Sequence, residues 1–404
     1  MRLVGLILAI LTVCATAVLP QYKVSLNDAI EMALKNNAEL AGYDAAVNKA
    51  RIEITGAEQI PNPSFSFAWE NLKLADESAG EWVAAASMPL NFLWERQHDI
   101  ASKNQFFEAQ KLLRGQAEAE LIIRLKTAYM NYHQLGLLVS AYDTAVALFS
   151  EIEKAAEWRV KAGDISEYEL QRIRLETKKY RNDLKLLQQE RDRLLLELCV
   201  ITGAPSEHRS WETESLPIDE IDLREDEIIE LALKNRFDLK AIDMMIESER
   251  RNLSLSEVKK LPDIGLEAGY KRQFDNFAGP VIQLSVEIPL FDKSKKETEL
   301  ANEEIRNLNR HKTLKTQEII TRIRFALAKH HSAHDAYESD RVDYSQGMLA
   351  TASLAYSKGE LSLVEFLDGV DSFISGVKMN TELMIRLIEA HYELENAVGI
   401  KNLK

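Results

Sequence analysis

Between Leu90 and Ala204 the sequence contains no proline, and it contains none after Pro289. A proline inside a helix removes a hydrogen-bond donor and clashes with the preceding turn, at about 3 kcal/mol. Two such proline-free runs allow helices far longer than a globular domain houses. The nine prolines fall at the N-terminal signal stretch, beside two stretches of period-two sequence, or at a joint marked by Pro205 and Pro217. Composition agrees: the 404 residues are rich in Leu, Glu, Lys, Ala and Arg and poor in Gly, which favours helix. Asn91 to Ala162 as one helix would be roughly 105 Å long at 1.5 Å per residue. Such a helix needs a coiled-coil partner. Downstream, Leu170, Ile173, Tyr180, Leu184, Leu187, Leu194, Leu198 and Ile201 recur at 3-4 spacing, with Thr177 and Arg191 as polar exceptions. Val370, Phe373, Val377, Met384, Leu387, Leu394 and Val398 do the same, with Asn380 and His391 as exceptions. Seams of this kind pack knobs into holes.

Two stretches depart from the helical period. From Pro61 to Leu90, Phe65, Phe67 and Trp69 alternate with Ser64, Ser66 and Glu70. After a polar turn over Ala75 to Gly80, Trp82, Ala84, Ala86 and Met88 alternate with Val83, Ala85 and Ser87. From Pro262 to Leu290, Ile264, Leu266, Ala268 and Tyr270, then Ile282, Leu284, Val286 and Ile288, alternate with polar or small residues. Successive strand side chains point to opposite faces, so each stretch predicts a β-hairpin with one apolar and one wet face.

The plan occurs twice. Ala33-Leu34-Lys35-Asn36 recurs as Ala232-Leu233-Lys234-Asn235, and Pro89-Leu90 as Pro289-Leu290. Lys161 to Ser166 (KAGDIS) is echoed by Ser357 to Ser362 (SKGELS), and Gly203 by Gly399. Four matches in one order point to duplication. The expected organisation is a signal peptide at 1–17, a first repeat at 18–205 with its hairpin at 63–90 and a tip turn near 163, and a second at 206–404 with its hairpin at 262–290 and a tip turn near 359. Each repeat is expected to run helix, hairpin, very long helix, tight turn, helix. The first helix should start at Ser25, capped through Asp28, and run to about Gln59.

Strands of roughly nine or ten residues match the length needed to cross a bilayer at a tilt. One face is apolar, while the other carries Ser, Gln, Glu, Asp and Lys, as a water-filled barrel lumen would. Trp69, Trp82, Trp94 and Tyr270 suit interfacial belts. Four strands leave open edges, and unpaired backbone is not tolerated in lipid. Strands that span must therefore be completed by other copies, and three copies would supply roughly twelve, above the smallest common barrels. The same four strands could instead form a soluble sheet packed on helices.

Arg2, the apolar run Leu3 to Cys14 and Ala15-Thr16-Ala17 have the pattern of a secretory signal. No later stretch approaches 18 apolar residues, so no transmembrane helix is expected. Cys14 raises the question of lipidation, although Val13 is large where that pattern wants a small residue. Cys199 is the only other cysteine, which leaves the mature chain no internal disulfide. The net charge of −14 without a basic stripe argues against nucleic acid as a partner.

The duplicated helix–hairpin–helix plan, the A-L-K-N start of each copy, the proline after the strands, and the turn sequences Trp158 to Leu170 (WRVKAGDISEYEL) and Ala355 to Leu367 (AYSKGELSLVEFL) resemble the TolC family of outer membrane efflux proteins. The resemblance covers the whole mature chain. It implies a mainly α protomer with a small β part, trimerising into a 12-stranded barrel in the outer membrane continued by an α-helical tunnel through the periplasm. It implies as partners two further copies, outer membrane lipid, a periplasmic adaptor and, through the adaptor, an inner-membrane pump. By motif, Gly163 and Gly359 are the tip turns, and Ile165, Ser166, Leu361, Ser362 and Leu363 would contact the adaptor. The family's acidic constriction falls, by spacing from the second tip glycine, on Glu365 and Asp368. Glu169 holds the equivalent first-copy place, with Arg172 where Asp368 would be. Following the two hairpins, L-N-F-L-W-E-R-Q and I-P-L-F-D-K resemble the heavy-metal-efflux branch more than the drug-efflux branch.

His330, His331 and His334 form H-H-x-x-H, in which His330 and His334 share a helix face. With no third ligand evident and His331 where a catalytic Glu would stand, a hydrated helix surface is the expected reading. No phosphate loop, nucleophile elbow or Cys-rich site is present. The expectation is a non-enzymatic chain without cofactor or bound metal: a passive trimeric exit duct of a three-part efflux or secretion system. The alternative is a soluble periplasmic coiled-coil scaffold.

Overall fold

The computed structural model describes residues 22–74, 77–205, 211–215, 217–218, 221, 223–291, 294–342 and 347–400. The predicted signal peptide and Cys14 lie outside the described residues. In chain order the elements are β1 (Tyr22–Lys23), α1 (Leu26–Asn36), α2 (Ala38–Glu58), β2 (Ser64–Leu74), β3 (Glu77–Pro89), α3 (Phe92–Ala162), α4 (Glu167–Thr202), β4 (Trp211–Glu212), α5 (Glu225–Asn235), α6 (Phe237–Val258), β5 (Asp263–Arg272), β6 (Ala278–Glu287), α7 (Lys295–Asp340), α8 (Gly347–Lys358) and α9 (Leu363–Val398). Two compact units divide them, one of residues 1–33, 128–216 and 344–381, the other of 34–127, 217–343 and 382–404.

The first helix is two helices. Ser25 Oγ and Asp28 form the expected cap, with the Asp28 amide donating to Ser25 Oγ at 3.2 Å and the Ser25 amide to Asp28 Oδ2 at 3.2 Å. The helix then breaks at Asn37, whose extended backbone lets its Oδ1 accept from the Glu39 and Leu40 amides. An Asn side chain competes for backbone donors and so ends one helix and caps the next. The break recurs at Arg236, between α5 and α6. A-L-K-N thus marks the end of a short helix in both halves.

The predicted long helix is continuous in the first half, where α3 runs for 71 residues. One window of α3 is as apolar as a membrane span, contrary to the sequence expectation. Tyr129, Met130 and Phe149 of α3 are buried in the protein, while Leu93, Leu137 and Trp158 are exposed. In the second half the long helix is interrupted. α7 ends at Asp340, Arg341 is extended, and α8 starts at Gly347. No proline causes this. Ser339, Asp340 and Gly347 are weak helix formers, and Ser339 Oγ donates to Asp340 Oδ1 at 2.9 Å.

The unit that contains α5, α6 and α7 has its apolar core where Ile228, Ile319, Ile323, Leu327, Leu394 and Val398 meet, with Ile242, Ile246 and Leu308 forming a second cluster. Arg236, almost fully buried, clamps this core. It binds Asp238 through two nitrogens at 2.9 and 2.6 Å and donates to the Ala397 and Asn396 carbonyls at the end of α9 at 2.6 and 3.2 Å. The other unit is centred on aromatic side chains. Phe149 stacks on Tyr180 at 5.1 Å and meets Phe366 edge-on at 5.8 Å, and Phe366 stacks on Tyr356 at 5.0 Å. Tyr180 donates to Asp371 Oδ1 at 3.2 Å. In the same unit β1 and β4 pair in parallel, and Tyr129 donates to the Val24 carbonyl at 3.1 Å.

Candidate functional site

Both hairpins form, and they join. The sheet order is β2-β3-β5-β6, antiparallel throughout. The register places Phe65 opposite Ala86, Phe67 opposite Ala84 and Trp69 opposite Trp82. Ala84 is then opposite Tyr270, Ala86 opposite Ala268 and Met88 opposite Leu266, and Leu266 is opposite Leu284 and Ile264 opposite Val286. Directly opposed residues share a face, so the two predicted apolar faces are one continuous surface. Nothing among the described residues covers it: Phe65 is 75% exposed, Trp69 65% and Ile282 78%. Trp82 lies 6.3 Å from Phe67 and 6.2 Å from Tyr270, ring to ring, an aromatic cluster near the turn end of the sheet. Trp94 is not part of that cluster, because it lies in the first turn of α3.

The opposite face carries Ser64, Ser66, Glu70, Glu81, Ser87, Asp263, Glu267, Lys271, Gln283, Ser285 and Glu287. Lys271 Nζ is 3.1 Å from Glu81. Gly269 permits the close approach of β3 and β5: a Cβ there would sit 2.6 Å from the Ala84 carbonyl and 2.7 Å from Ala85 Cβ.

β2 and β3 exceed the expected nine or ten residues, at 11 and 13, while β5 and β6 match it at 10 each. Gly80, expected in the turn, is paired with Asn71 inside the ladder. Alternation is a weak guide to a strand's end when polar residues continue the pairing. Ile288 falls outside β6, whereas Pro280, expected beside the strands, is inside it, opposite Tyr270. Lacking an N–H, Pro is confined to edge strands, and β6 is an edge in this chain. The second hairpin turns through Asn276 at φ 69°, with the Gln273 amide donating to the Phe277 carbonyl at 2.8 Å.

The expected tip turns both lie in the unit of the aromatic core. Gly163 closes α3 at φ 82° and Gly359 closes α8 at φ 74°, the left-handed conformation that glycine alone adopts without cost. Their neighbours bond back alike: the Asp164 amide to the Arg159 carbonyl at 2.9 Å, and the Glu360 amide to the Ala355 carbonyl at 2.8 Å. Ser166 caps α4, its Oγ accepting from the Glu169 amide at 3.2 Å. Ser362 does more, because the Glu365 amide donates to its Oγ at 3.3 Å while the Ser362 amide donates to Glu365 Oε2 at 2.8 Å. The Ser362 hydroxyl and amide hold the Glu365 carboxyl below the usual carboxylate range. Glu365 and Asp368 are both exposed on the first turns of α9; Glu169, the first-half equivalent of Glu365, is half-buried on α4.

Ser166 and Ser362 are exposed, Ile165 and Leu361 half-buried. Leu363, expected at the adaptor surface, is buried at the start of α9, only 8% exposed. A groove of about 720 Å³ opens beside the second tip, lined by Thr351, Ala352, Ala355, Leu361, Glu365 and Gly369 among others. Small residues spaced along α8 could have signalled it in the sequence. His330, expected on a hydrated surface, is only 2% exposed. Among the described residues, no group of three His, Cys, Asp or Glu side chains is arranged to hold a metal ion.

No protein-family profile matches the sequence, and no curated protein does. Solved structures match it over nearly its full length. It superposes on the transmembrane channel CusC with a TM-score of 0.70 at 17% identity, covering 94% of each chain. The outer membrane protein VceC of Vibrio cholerae matches with a TM-score of 0.67 at 15% identity, over 93% of this chain and 97% of that one. The outer membrane channel MtrE of Neisseria gonorrhoeae matches with a TM-score of 0.70 at 16% identity, over 93% and 89%. With its paired hairpins, its long helices and its two glycine-closed turns, the chain has the fold of the TolC-like outer membrane channels.

Proposed function

We propose that this chain is the outer-membrane channel of a three-part efflux or secretion system, and that three copies form one passive exit duct. The observation that carries this reading is the uncovered apolar face of the four-stranded sheet, backed by a charged and hydroxylated face. A soluble protein rarely leaves so large an apolar patch open. A bilayer would cover that face, and water in a barrel lumen would bathe the other. The free edges of β2 and β6 require partners in lipid. A second copy offers β6 an edge to meet β2, and closure by three copies gives roughly twelve strands, within the range of such barrels.

The tips supply the other end of the function. Two left-handed glycine turns with small and apolar neighbours suit docking of a helical hairpin from a periplasmic adaptor, with the groove beside Ala352, Ala355 and Leu361 taking its side chains. The duct carries no reaction of its own, and an inner-membrane pump provides the energy. Glu365 and Asp368, three residues apart on one exposed helix start, would be tripled by the assembly into an anionic ring that favours cations. The cargo class that fits is cationic, metal ions included.

The test is single-channel conductance of detergent-purified protein in a planar bilayer, combined with cell fractionation. Small, stable, cation-preferring steps from outer-membrane protein are expected. Absence of conductance, from protein recovered in the soluble periplasm, would replace the duct with a coiled-coil scaffold.

A further inference from the structure

Histidine supplies eight residues of the chain, and four of them meet in one place. His330 of α7 is 2% exposed, and neither of its ring nitrogens has a partner among the described residues. The rings of His331 and His334, on the same helix, are centred 6.2 and 6.3 Å away. That of His391, on α9, is centred 5.5 Å away. His391 Nε2 lies 3.8 Å from Glu395 Oε1, and Glu395 Oε2 lies 3.3 Å from Lys126 Nζ, contributed by α3. Lys126 Nζ also sits 5.4 Å from the centre of the Tyr392 ring. The titratable groups acting on His330 itself are the three other histidines. The ion pairs at this seam are Glu395 with Lys126, behind His391, and Lys329 with Glu393 at 2.7 Å, which also joins α7 to α9.

A neutral imidazole tolerates such a place, whereas an imidazolium does not. Burial disfavours the charged form, and the carboxylates at this seam, Glu395 and Glu393, each already face a lysine. We propose that the His330–His391 contact, with His331 and His334 beside it, is an acid-sensitive latch that holds α7 against α9 while neutral and releases them when protonated. Burial pushes His330 down to about 4, and the neighbouring histidines, His391 first, push in the same direction. The sign follows from that depression. An opened seam has an ordinary imidazole near 6.5 and takes up protons that the closed seam refuses. Closure is therefore fully favoured above about pH 6.5 and weakens progressively as pH falls toward about 4. The latch does not depend on the channel reading, because both helix segments belong to one unit of a single chain.

The test is hydrogen exchange of the full-length protein in detergent, corrected for intrinsic rates, at about pH 7.5 and about pH 5. Peptides over 322–334 and 387–398 should lose protection about tenfold or more at the lower pH, while peptides of α2 keep theirs. His330→Phe fills the space without titrating and should hold protection at both values. Equal protection of these peptides in the unaltered protein at both pH values would overturn the latch without any variant. So would an acid loss that His330→Phe leaves intact. Protection that rises with added Zn²⁺ and is independent of pH would also overturn it, making the cluster a metal site.

Discussion

The Ser362 amide donates to the Glu365 carboxylate at 2.8 Å while the Glu365 amide donates to the Ser362 hydroxyl at 3.3 Å. This reciprocal pair gives Glu365 a local duty at the start of α9 besides any charge it presents to an entrance. The two duties separate by substitution. Gln at this place keeps the capping box and removes the charge. Glu365→Gln together with Asp368→Asn should lower the cation-over-anion permeability ratio and leave the melting temperature unchanged. Ser362→Ala should do the reverse, costing about 1 kcal/mol of stability with selectivity intact. If the double variant conducts with unaltered selectivity, the anionic ring has no part in it.

The lowered Glu365 carboxyl also fixes a pH dependence. Its pKa in the folded chain lies below the unfolded value because the Ser362 hydroxyl and amide favour the charged form. The cap therefore contributes above the ordinary Glu range and is lost as pH falls through the lower, folded value. Exchange protection of the 363–370 amides should persist through pH 5 and decline only below the usual carboxylate range. Decline at pH 6 would mean the carboxylate is not held by Ser362.

Gly359 has nothing within 4 Å of where a Cβ would stand, yet its φ is 74°. Space is therefore no obstacle to a side chain, but the backbone is. A β-branched residue is strained there, by roughly 1–2 kcal/mol, while Asn tolerates the left-handed region. Gly359→Val should weaken adaptor binding and Gly359→Asn should preserve it, with both variants still trimeric by native mass spectrometry. Normal efflux in cells carrying Gly359→Val would count against the tip assignment.

Arg236 presents a sharper case, because its partners are buried with it. Burial alone would raise the Asp238 carboxyl, but the hydrogen bonds and charge of Arg236 outweigh it and the net shift is downward. Arg236→Ala would strand that carboxylate and free the Ala397 and Asn396 carbonyls. Breaking a buried pair in this way costs about 3–5 kcal/mol. Chemical denaturation should show a loss of that order at pH 7, shrinking as pH falls through the native Asp238 pKa and the carboxyl neutralises. A loss under about 1 kcal/mol would mean the pair is solvated and contributes as surface pairs do.

The features legible in the sequence share a physical origin, a period that burial enforces over many residues. Phe65-Phe67-Trp69 and Ile282-Leu284-Val286 announced strands because every second side chain faces one environment. The proline-free run announced α3, and Gly163 and Gly359 announced turns. Features decided by one side chain's local bonding were hidden. Nothing in the period around Asn37 shows that its Oδ1 will take two amides and split a helix, and Arg236 makes the same break without that bond. The interruption after Asp340 replaces no apolar repeat, so it left no pattern to read. The buried place of His330 is not legible, because spacing within one helix cannot report a neighbour on another such as His391, about sixty residues away in sequence. The identity of β6 as an edge became visible only through its register with β5.

That edge and its apolar face make the membrane reading most exposed to test. Ile282 and Gln283 are neighbours in β6 on opposite faces, with Ile282 opposite Ala268 and Gln283 opposite Glu267. If lipid covers the apolar face, Ile282→Lys places an ammonium in hydrocarbon, at about 2–4 kcal/mol near the midplane. Gln283→Lys instead adds a cation to the wet face, opposite a carboxylate, where an opposite-charge pair is mildly favourable. The first variant should fail to form the heat-resistant trimer in outer-membrane fractions, and the second should form it normally. On a soluble sheet the outcome inverts: Ile282, already 78% exposed in the single chain, would accept lysine with little change in stability and a gain in solubility. Equal trimer yields from the two variants would therefore remove the bilayer from the account of this face.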